Sequence, residues 1–311
     1  MKIVLPGGSG QVGNVLTRAL RAGGHEVIVL SRTASASTTQ WDGRSLGPWA
    51  DTIDGADVVI NLAGRSVTCR YNKKNLTQML KSRLDSTRVV GEAIARARNP
   101  PAVWLQMSTA TIYSHRFDAP NDDVTGVLGG NEPDVPEYWA FSIEIAKAWE
   151  QALALADTRN TRKVALRTSM VMSPDRGGVF DILRRLTRVG LGGAIGGGAQ
   201  FMSWIHGQDF VRAIQLLIDR EEVEGPVALS SPVPLTQREF MAELRRAVRI
   251  PFGIPATKWM LEIATVFHRT DSELILKSRR VIPRRLLDLG FEFEFPTWSA
   301  AATDLVHRSH S

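Results

Sequence analysis

One cysteine, Cys69, stands in 311 residues. This excludes an internal disulfide or a cysteine-based metal cluster and fits a reducing compartment. No apolar run is long enough to span a bilayer, and the apolar start is short and runs into glycines instead of a signal-peptide pattern. A cytoplasmic protein with no membrane partner is expected. The six histidines are scattered without metal-ligand spacing and no carboxylate cluster accompanies them, so no metal is expected. The net charge of +6 invites a polyanionic partner. Its carriers are separate pairs (Lys73-Lys74, Arg184-Arg185, Arg245-Arg246, Arg279-Arg280, Arg284-Arg285) mixed with acids, as on solvated faces. With no recognised basic and aromatic module, no nucleic-acid partner is expected.

What the chain does have comes first. The opening MKIVLPGGSGQVGNVLTRALRAGGHEVIVLSR predicts a strand, a Gly-rich turn, an amphipathic helix over Val12 to Ala22 and a second strand over Val27 to Leu30. Gly7, Gly10 and Gly13, with Ser9, Gln11 and Val12 between them, have the spacing that brings backbone N–H groups close to a pyrophosphate at a helix N-terminus. An NAD site would place Asp or Glu at the end of the second strand. Here stand Ser31 and Arg32, a hydroxyl and a guanidinium suited to a 2′-phosphate, so NADP is the expected cofactor. The alternative is an exposed arginine opening a polar loop.

Strands and helices keep alternating: Val58 to Leu62, helix Asn75 to Ala97, Val103 to Met107, helix Pro136 to Ala156, Val164 to Arg167. The expected fold is α/β, a Rossmann-like doubly wound parallel sheet with a smaller C-terminal substrate-side lobe. Residues 1–171 with about 205–225 would form the dinucleotide domain, and 172–204 with 226–311 the lobe. That lobe would hold a strand at Val227 to Leu229 and helices at Thr236 to Val248 and near Ala256 to Phe267. The loop Asp118 to Pro136 would follow a strand's carboxyl end, where a lid is expected. The glycine-dense run Gly190 to Gly198 reads as a linker by composition. The large residues after it, Phe201 to His206, argue for order.

Taken together, Gly7-Gly8-Ser9-Gly10-Gln11-Val12-Gly13, Asn61-Leu62-Ala63-Gly64, Ser82-Arg83 with Ser86-Thr87, Trp149-Glu150, Gln200 to His206 with Asp209, and Ser278 to Pro283 resemble the extended short-chain dehydrogenase/reductase superfamily. The resemblance is to its divergent NADP-dependent epimerase-like branch, which carries a small C-terminal domain of uncharacterised role, and it covers nearly the whole chain. It implies that Asn61, Leu62, Ala63 and Gly64 line the adenine and ribose side of the cofactor. It also implies that Ser31, Arg32 and Arg83 are polar contacts to NADP. A dimer through the long helices would be usual for the superfamily.

Enzymes of the superfamily use a Ser or Thr after the fourth strand and a Tyr and Lys four apart on the next helix, where the lysine lowers the tyrosine pKa. Thr109 falls at the hydroxyl position, with Ser108 and Tyr113 beside it as candidate substrate contacts. The pair itself is missing: alignment on Trp149-Glu150 brings Ser142 to the Tyr position and Ala146 to the Lys position. Tyr138 and Lys147 cannot replace it, being on opposite helix faces roughly 13 Å apart along the axis. Tyr138 alone shares the i, i+4 row of Ser142, Ala146 and Glu150, which makes it a candidate proton donor. His206 is another, titrating near neutrality, with Phe201 and Trp204 as substrate-side aromatics. The alternative is that Trp204 is core and His206 caps a helix led by Asp209.

The expected function is an NADP-dependent oxidoreductase or epimerase-like enzyme that transfers hydride to or from a small hydroxyl or carbonyl substrate. The alternatives are a non-catalytic NADP(H)-binding sensor and a nucleotide-sugar epimerase, the latter disfavoured by the missing pair.

Overall fold

The computed structural model describes residues 1–69, 71–133, 135–255 and 273–309. The helix expected near Ala256 to Phe267 lies outside them. Strands β1 (Lys2–Pro6), β2 (Glu26–Ser31), β3 (Thr38–Gln40), β4 (Val58–Asn61), β5 (Val103–Thr109), β6 (Arg162–Thr168) and β10 (Gly225–Leu229) form one seven-stranded parallel sheet in the order β10-β6-β5-β4-β1-β2-β3. The order reverses at β1 and β4. This Rossmann-like arrangement opens its crevice at the carboxyl ends of those two strands.

Residue parity explains the apolar runs. Ile3, Leu5, Val27, Val29, Val58, Ile60, Val103, Leu105, Val164 and Leu166 face α1 (Gln11–Ala22) and α5 (Gly207–Asp219), meeting Leu16, Leu20, Phe210, Ile214 and Leu217. Their neighbours Val4, Leu30, Val59, Trp104 and Ala165 face the other way, toward Val89, Val90, Ala93 and Ile94 of α2 (Lys73–Arg96) and Leu153 of α3 (Ala140–Ala154). Parallel strands covered on both faces have no polar side, so alternation vanishes. Among the described residues no helix is long and apolar enough to cross a membrane.

The second core joins α4 (Val179–Arg188), α6 (Gln237–Val248) and the C-terminal helix Trp298–Arg308. It is braced by two short ladders, β7 (Met170–Met172) with β9 (Trp204–His206) and β8 (Phe201–Met202) with β11 (Leu235–Thr236). Trp298 stacks on Phe240 at 4.0 Å and donates its indole N–H to the Phe240 carbonyl. A capping box of Thr236 and Glu239 starts α6.

Two expectations change here. The strand expected at Val227 to Leu229 belongs to the main sheet, because Val227 pairs with Leu166 and extends the core beneath β6. Leu286 and Phe291 pack into that same core. The loop expected as a lid is stitched down: Asn121 exchanges backbone hydrogen bonds with Arg280 and Ile282, and the Asp123 carboxylate accepts from Ala228 N and Arg285 N at 2.7 and 3.0 Å. The Gly-dense run is held in place, with Ile195 N donating to the Gln237 side chain and Arg245 donating to the Gly192 carbonyl.

Asp209 joins the two cores. Its carboxylate is fully buried and accepts from Glu294 N, Phe295 N and Arg212. Asp209→Asn loses one of those acceptors, which lowers unfolding free energy by about 2 kcal/mol in urea titration.

Candidate active site

The cradle follows β1. Gly7 N donates to Leu30 O at 2.9 Å, and its φ of +76° turns the chain. A Cβ on Gly7 would lie 2.6 Å from Ala63 Cα, and one on Gly13 would lie 2.2 Å from Gly8 O. Both glycines are required by the protein's own packing. Gly10 differs, because its nearest would-be contact is at 3.8 Å and its φ of −79° suits any residue. The open space before the α1 N-terminus, ringed by backbone N–H groups that helix geometry leaves unpaired, suits a pyrophosphate. The cradle thus fits a dinucleotide on its own geometry.

Around it, Ser31 Oγ donates to Ser9 Oγ at 3.2 Å, and the next residue, Arg32, is exposed. Gln11 turns away to Ser173 Oγ at 3.1 Å, and Val12 packs against the α1 core. At the end of β4, Asn61 Oδ1 accepts from Ala63 N at 3.0 Å while its amide donates to Gln106, which fixes the strand end. Leu62 and Ala63 pack into opposite cores. Gly64 lies against Arg83, where a Cβ would come 3.3 Å from the guanidinium carbon. Arg83 spans Trp149 at 4.9 Å and donates to the Arg65 and Met79 carbonyls; burial pushes its pKa down to about 10.

Thr109 ends β5, and its Oγ1 accepts from Thr111 N at 3.1 Å. Ser108 and Tyr113 are tied into the interior. Ser108 shares the sheet face of Trp104 and Gln106, toward α3, and donates to Glu150 Oε1 at 2.6 Å. Glu150 in turn receives Arg167 on both oxygens at 2.9 and 2.8 Å, and Arg167 donates to the Tyr113 hydroxyl at 3.2 Å. Tyr113 is 2% exposed, and burial pushes its phenol up to about 12.

Trp204 is likewise core: it is 0% exposed and meets Trp298 edge-on at 5.0 Å. His206 caps α5, its Nδ1 accepting from Gln208 N, while Phe295 covers the ring at 4.0 Å and Asp304 lies 3.2 Å from Nε2. The His206 side chain is 3% exposed, and burial lowers its pKa. Phe201 is half-buried, paired with Thr236 and covered by the Arg280 guanidinium at 4.5 Å. Tyr138 precedes α3 in the 3-10 turn Glu137–Trp139 and is exposed, so it is not on the Ser142 helical row. Lys147 donates to the Gly129 carbonyl at 2.8 Å. Ala146 is buried against Ile112, Tyr113 and Val281.

Sequence reasoning missed the charged groups that meet Thr111, two residues past Thr109, and the Ser142 hydroxyl. Lys277 Nζ donates to the Thr111 carbonyl at 3.0 Å, Arg279 Nε donates to Thr111 Oγ1 at 3.1 Å, and Ser142 Oγ donates to the buried Glu273. The only sequence signal was the landmark run beginning at Ser278, next to Lys277. A surface groove of about 1720 Å³ opens elsewhere, among Asp57, Ala102, Arg162 and Gly225 at the amino ends of the strands. Doubly wound sheets bind ligands at the opposite end.

Residues 3–228 match the NAD dependent epimerase/dehydratase family, and residues 256–305 match a domain of unknown function, DUF1731. The epimerase family protein SDR39U1 of Bos taurus is 30% identical across 98% of this chain and 100% of its own. The epimerase family protein Mb2239 of Mycobacterium bovis is 32% identical across 95% of this chain and 94% of its own. The crystal structure of human SDR39U1 (isoform 2) with NADPH superposes with a TM-score of 0.86 at 29% identity, covering 99% of both chains. With its cradle, its sheet order and these matches across almost its whole length, the chain belongs to the NAD dependent epimerase/dehydratase family.

Proposed function

We propose that this protein is an NADP(H)-dependent oxidoreductase of the epimerase type that acts on a small hydroxyl or carbonyl compound. The observation that carries the reading is Gly10: packing explains Gly7 and Gly13 but leaves Gly10 facing open space that a pyrophosphate would fill. The α1 N-terminus would hold the phosphates, and Asn61 to Gly64 with Arg83 would floor the adenosine side. Ser31 and Ser9 would hold the ribose, and Arg32 the 2′-phosphate. The NADPH in the human relative supports this choice of dinucleotide. When bound, the dinucleotide supplies a hydride donor or acceptor at the nicotinamide. Thr109 orients the substrate oxygen by hydrogen bonding.

Parallel titrations of NADPH, NADP⁺, NADH and NAD⁺ test the reading. NADP(H) binds more tightly than NAD(H). Arg32→Ala weakens NADP(H) by about ten- to a hundred-fold, the value of one or two charge-assisted hydrogen bonds, and leaves NAD(H) unchanged. Absence of binding by all four defeats it. Ser142 and Ala146, standing where the superfamily's Tyr and Lys would be, favour a second reading as an NADP(H) sensor. That reading expects unequal NADPH and NADP⁺ affinities with no hydride exchange on any carbonyl compound.

A further inference from the structure

Two buried ionisable groups, Lys277 and Glu273, stand between the Thr111 carbonyl and the Ser142 hydroxyl with no packing reason to be charged. Lys277 and Glu273 are 1% and 0% exposed in their side chains, with Nζ 3.8 Å from Glu273 Oε1. Glu273 Oε2 accepts from Ser142 on the first turn of α3, and Lys277 Nζ donates to the Thr111 carbonyl, two residues past Thr109. A buried ion pair costs desolvation that an apolar pair of similar volume would avoid. Such a pair next to a strand end that borders the ligand crevice is a candidate for proton chemistry. The superfamily's usual proton-carrying helix residues are absent here, and this segment comes from the other end of the chain to the same place.

Resting on the reading that an NADP(H)-type dinucleotide occupies the cradle, we propose that Lys277 is the proton reservoir of the cleft, coupled through Glu273 to the Ser142 hydroxyl. In oxidation of a carbinol, its carbon-bound hydrogen and two electrons pass to the oxidised dinucleotide and a carbonyl forms. The hydroxyl proton moves to Ser142 Oγ as Ser142 gives its own proton to Glu273 Oε2, and the Glu273 carboxyl turns to close the 3.8 Å gap to Nζ and passes that proton to the neutral Lys277 amine. Carbonyl reduction reverses each transfer, starting from the Lys277 ammonium. Ser142 is the catalytic residue of this relay, and Glu273 and Lys277 act through it.

The electrostatics permit both protonation states. Burial, then Arg279, pushes Lys277 down to about 8, while Glu273 and Glu132 hold it up. His115 also faces it and is itself lowered by burial and by Lys277, so it titrates below the relevant range. Tyr71 acts on the neighbouring Arg279.

The test is the ratio of Kd for NADP⁺ to Kd for NADPH on the full chain, from about pH 6.5 to about pH 9.5. The two ligands differ by one positive charge at the nicotinamide, so an ammonium in the cleft disfavours NADP⁺ until it deprotonates. The ratio falls by about five-fold or more, with a midpoint near 8. In Lys277→Met and Lys277→Arg it stays level within about two-fold, and Glu273→Gln moves the midpoint down by about one pH unit. If neither Lys277 variant folds, the Glu273→Gln midpoint decides. A level ratio in the wild type, an inflection that survives Lys277→Met, or a midpoint unmoved by Glu273→Gln overturns the relay while leaving dinucleotide binding intact. Failure of both dinucleotides to bind defeats the underlying reading, and the relay with it.

Discussion

Gly10→Ala melts within about 2 °C of the wild type and loses about ten- to a hundred-fold in NADP(H) affinity, whereas Gly13→Ala is destabilised by more than about 3 kcal/mol. The two residues belong to one motif and differ only in what surrounds them. A methyl group on Gly13 meets the Gly8 carbonyl oxygen at 2.2 Å, and neither the α1 axis nor the β1 turn can yield without opening the core around Leu16 and Leu5. A methyl group on Gly10 meets no atom of the protein closer than 3.8 Å. Its folding cost is that of replacing glycine by alanine at an N-cap, about 1 kcal/mol or less. Its binding cost is larger, because the methyl stands where the pyrophosphate must approach the backbone. Thermal melts and dinucleotide titrations on the same two variants measure both effects. Equal loss of stability in the two would show that Gly10 is also a packing residue.

Glu150→Ala costs about 3–5 kcal/mol of unfolding free energy, because it strands the Arg167 guanidinium in a site where that side chain is only 10% exposed. The carboxylate accepts from Arg167 Nε, Arg167 Nη2 and Ser108 Oγ at 2.9, 2.8 and 2.6 Å, and among the described residues the guanidinium's other acceptor is the Tyr113 hydroxyl, which holds a single nitrogen. The double variant Glu150→Leu/Arg167→Met recovers all but about 1–2 kcal/mol, since an apolar pair avoids the desolvation of both charges. Urea denaturation of the two single variants and the double gives the coupling directly. Additive losses would show that the pair is not a unit.

The cradle was legible because its requirement is local. Gly7 and Gly13 are fixed by contacts reaching no further than Ala63, and the strand, turn, helix and strand sequence declares itself within thirty-two residues. The sheet was legible for a similar reason, since Ile3 to Leu5, Val58 to Ile60 and Val103 to Leu105 lack any polar alternation. Harder cases came wherever a side chain's meaning depends on what covers it. Trp204, Tyr113 and His206 carry the side-chain types of a substrate pocket. Trp298, Arg167 and Phe295 close over them instead, and those partners lie 94, 54 and 89 positions away in the chain.

By itself, then, the sequence determined the doubly wound sheet, the glycine cradle and the Ser31-Arg32 end of β2, because periodicity and missing Cβ atoms act over a few residues. Only the tertiary structure decided which hydroxyls meet which charges. It turned Ser108 to Glu150, added Gly225–Leu229 to the sheet edge, and brought Lys277 across 166 positions to the Thr111 carbonyl. The physical reason is that a buried charge or hydroxyl must find its partner wherever the packed chain presents one, and sequence spacing carries no record of that meeting.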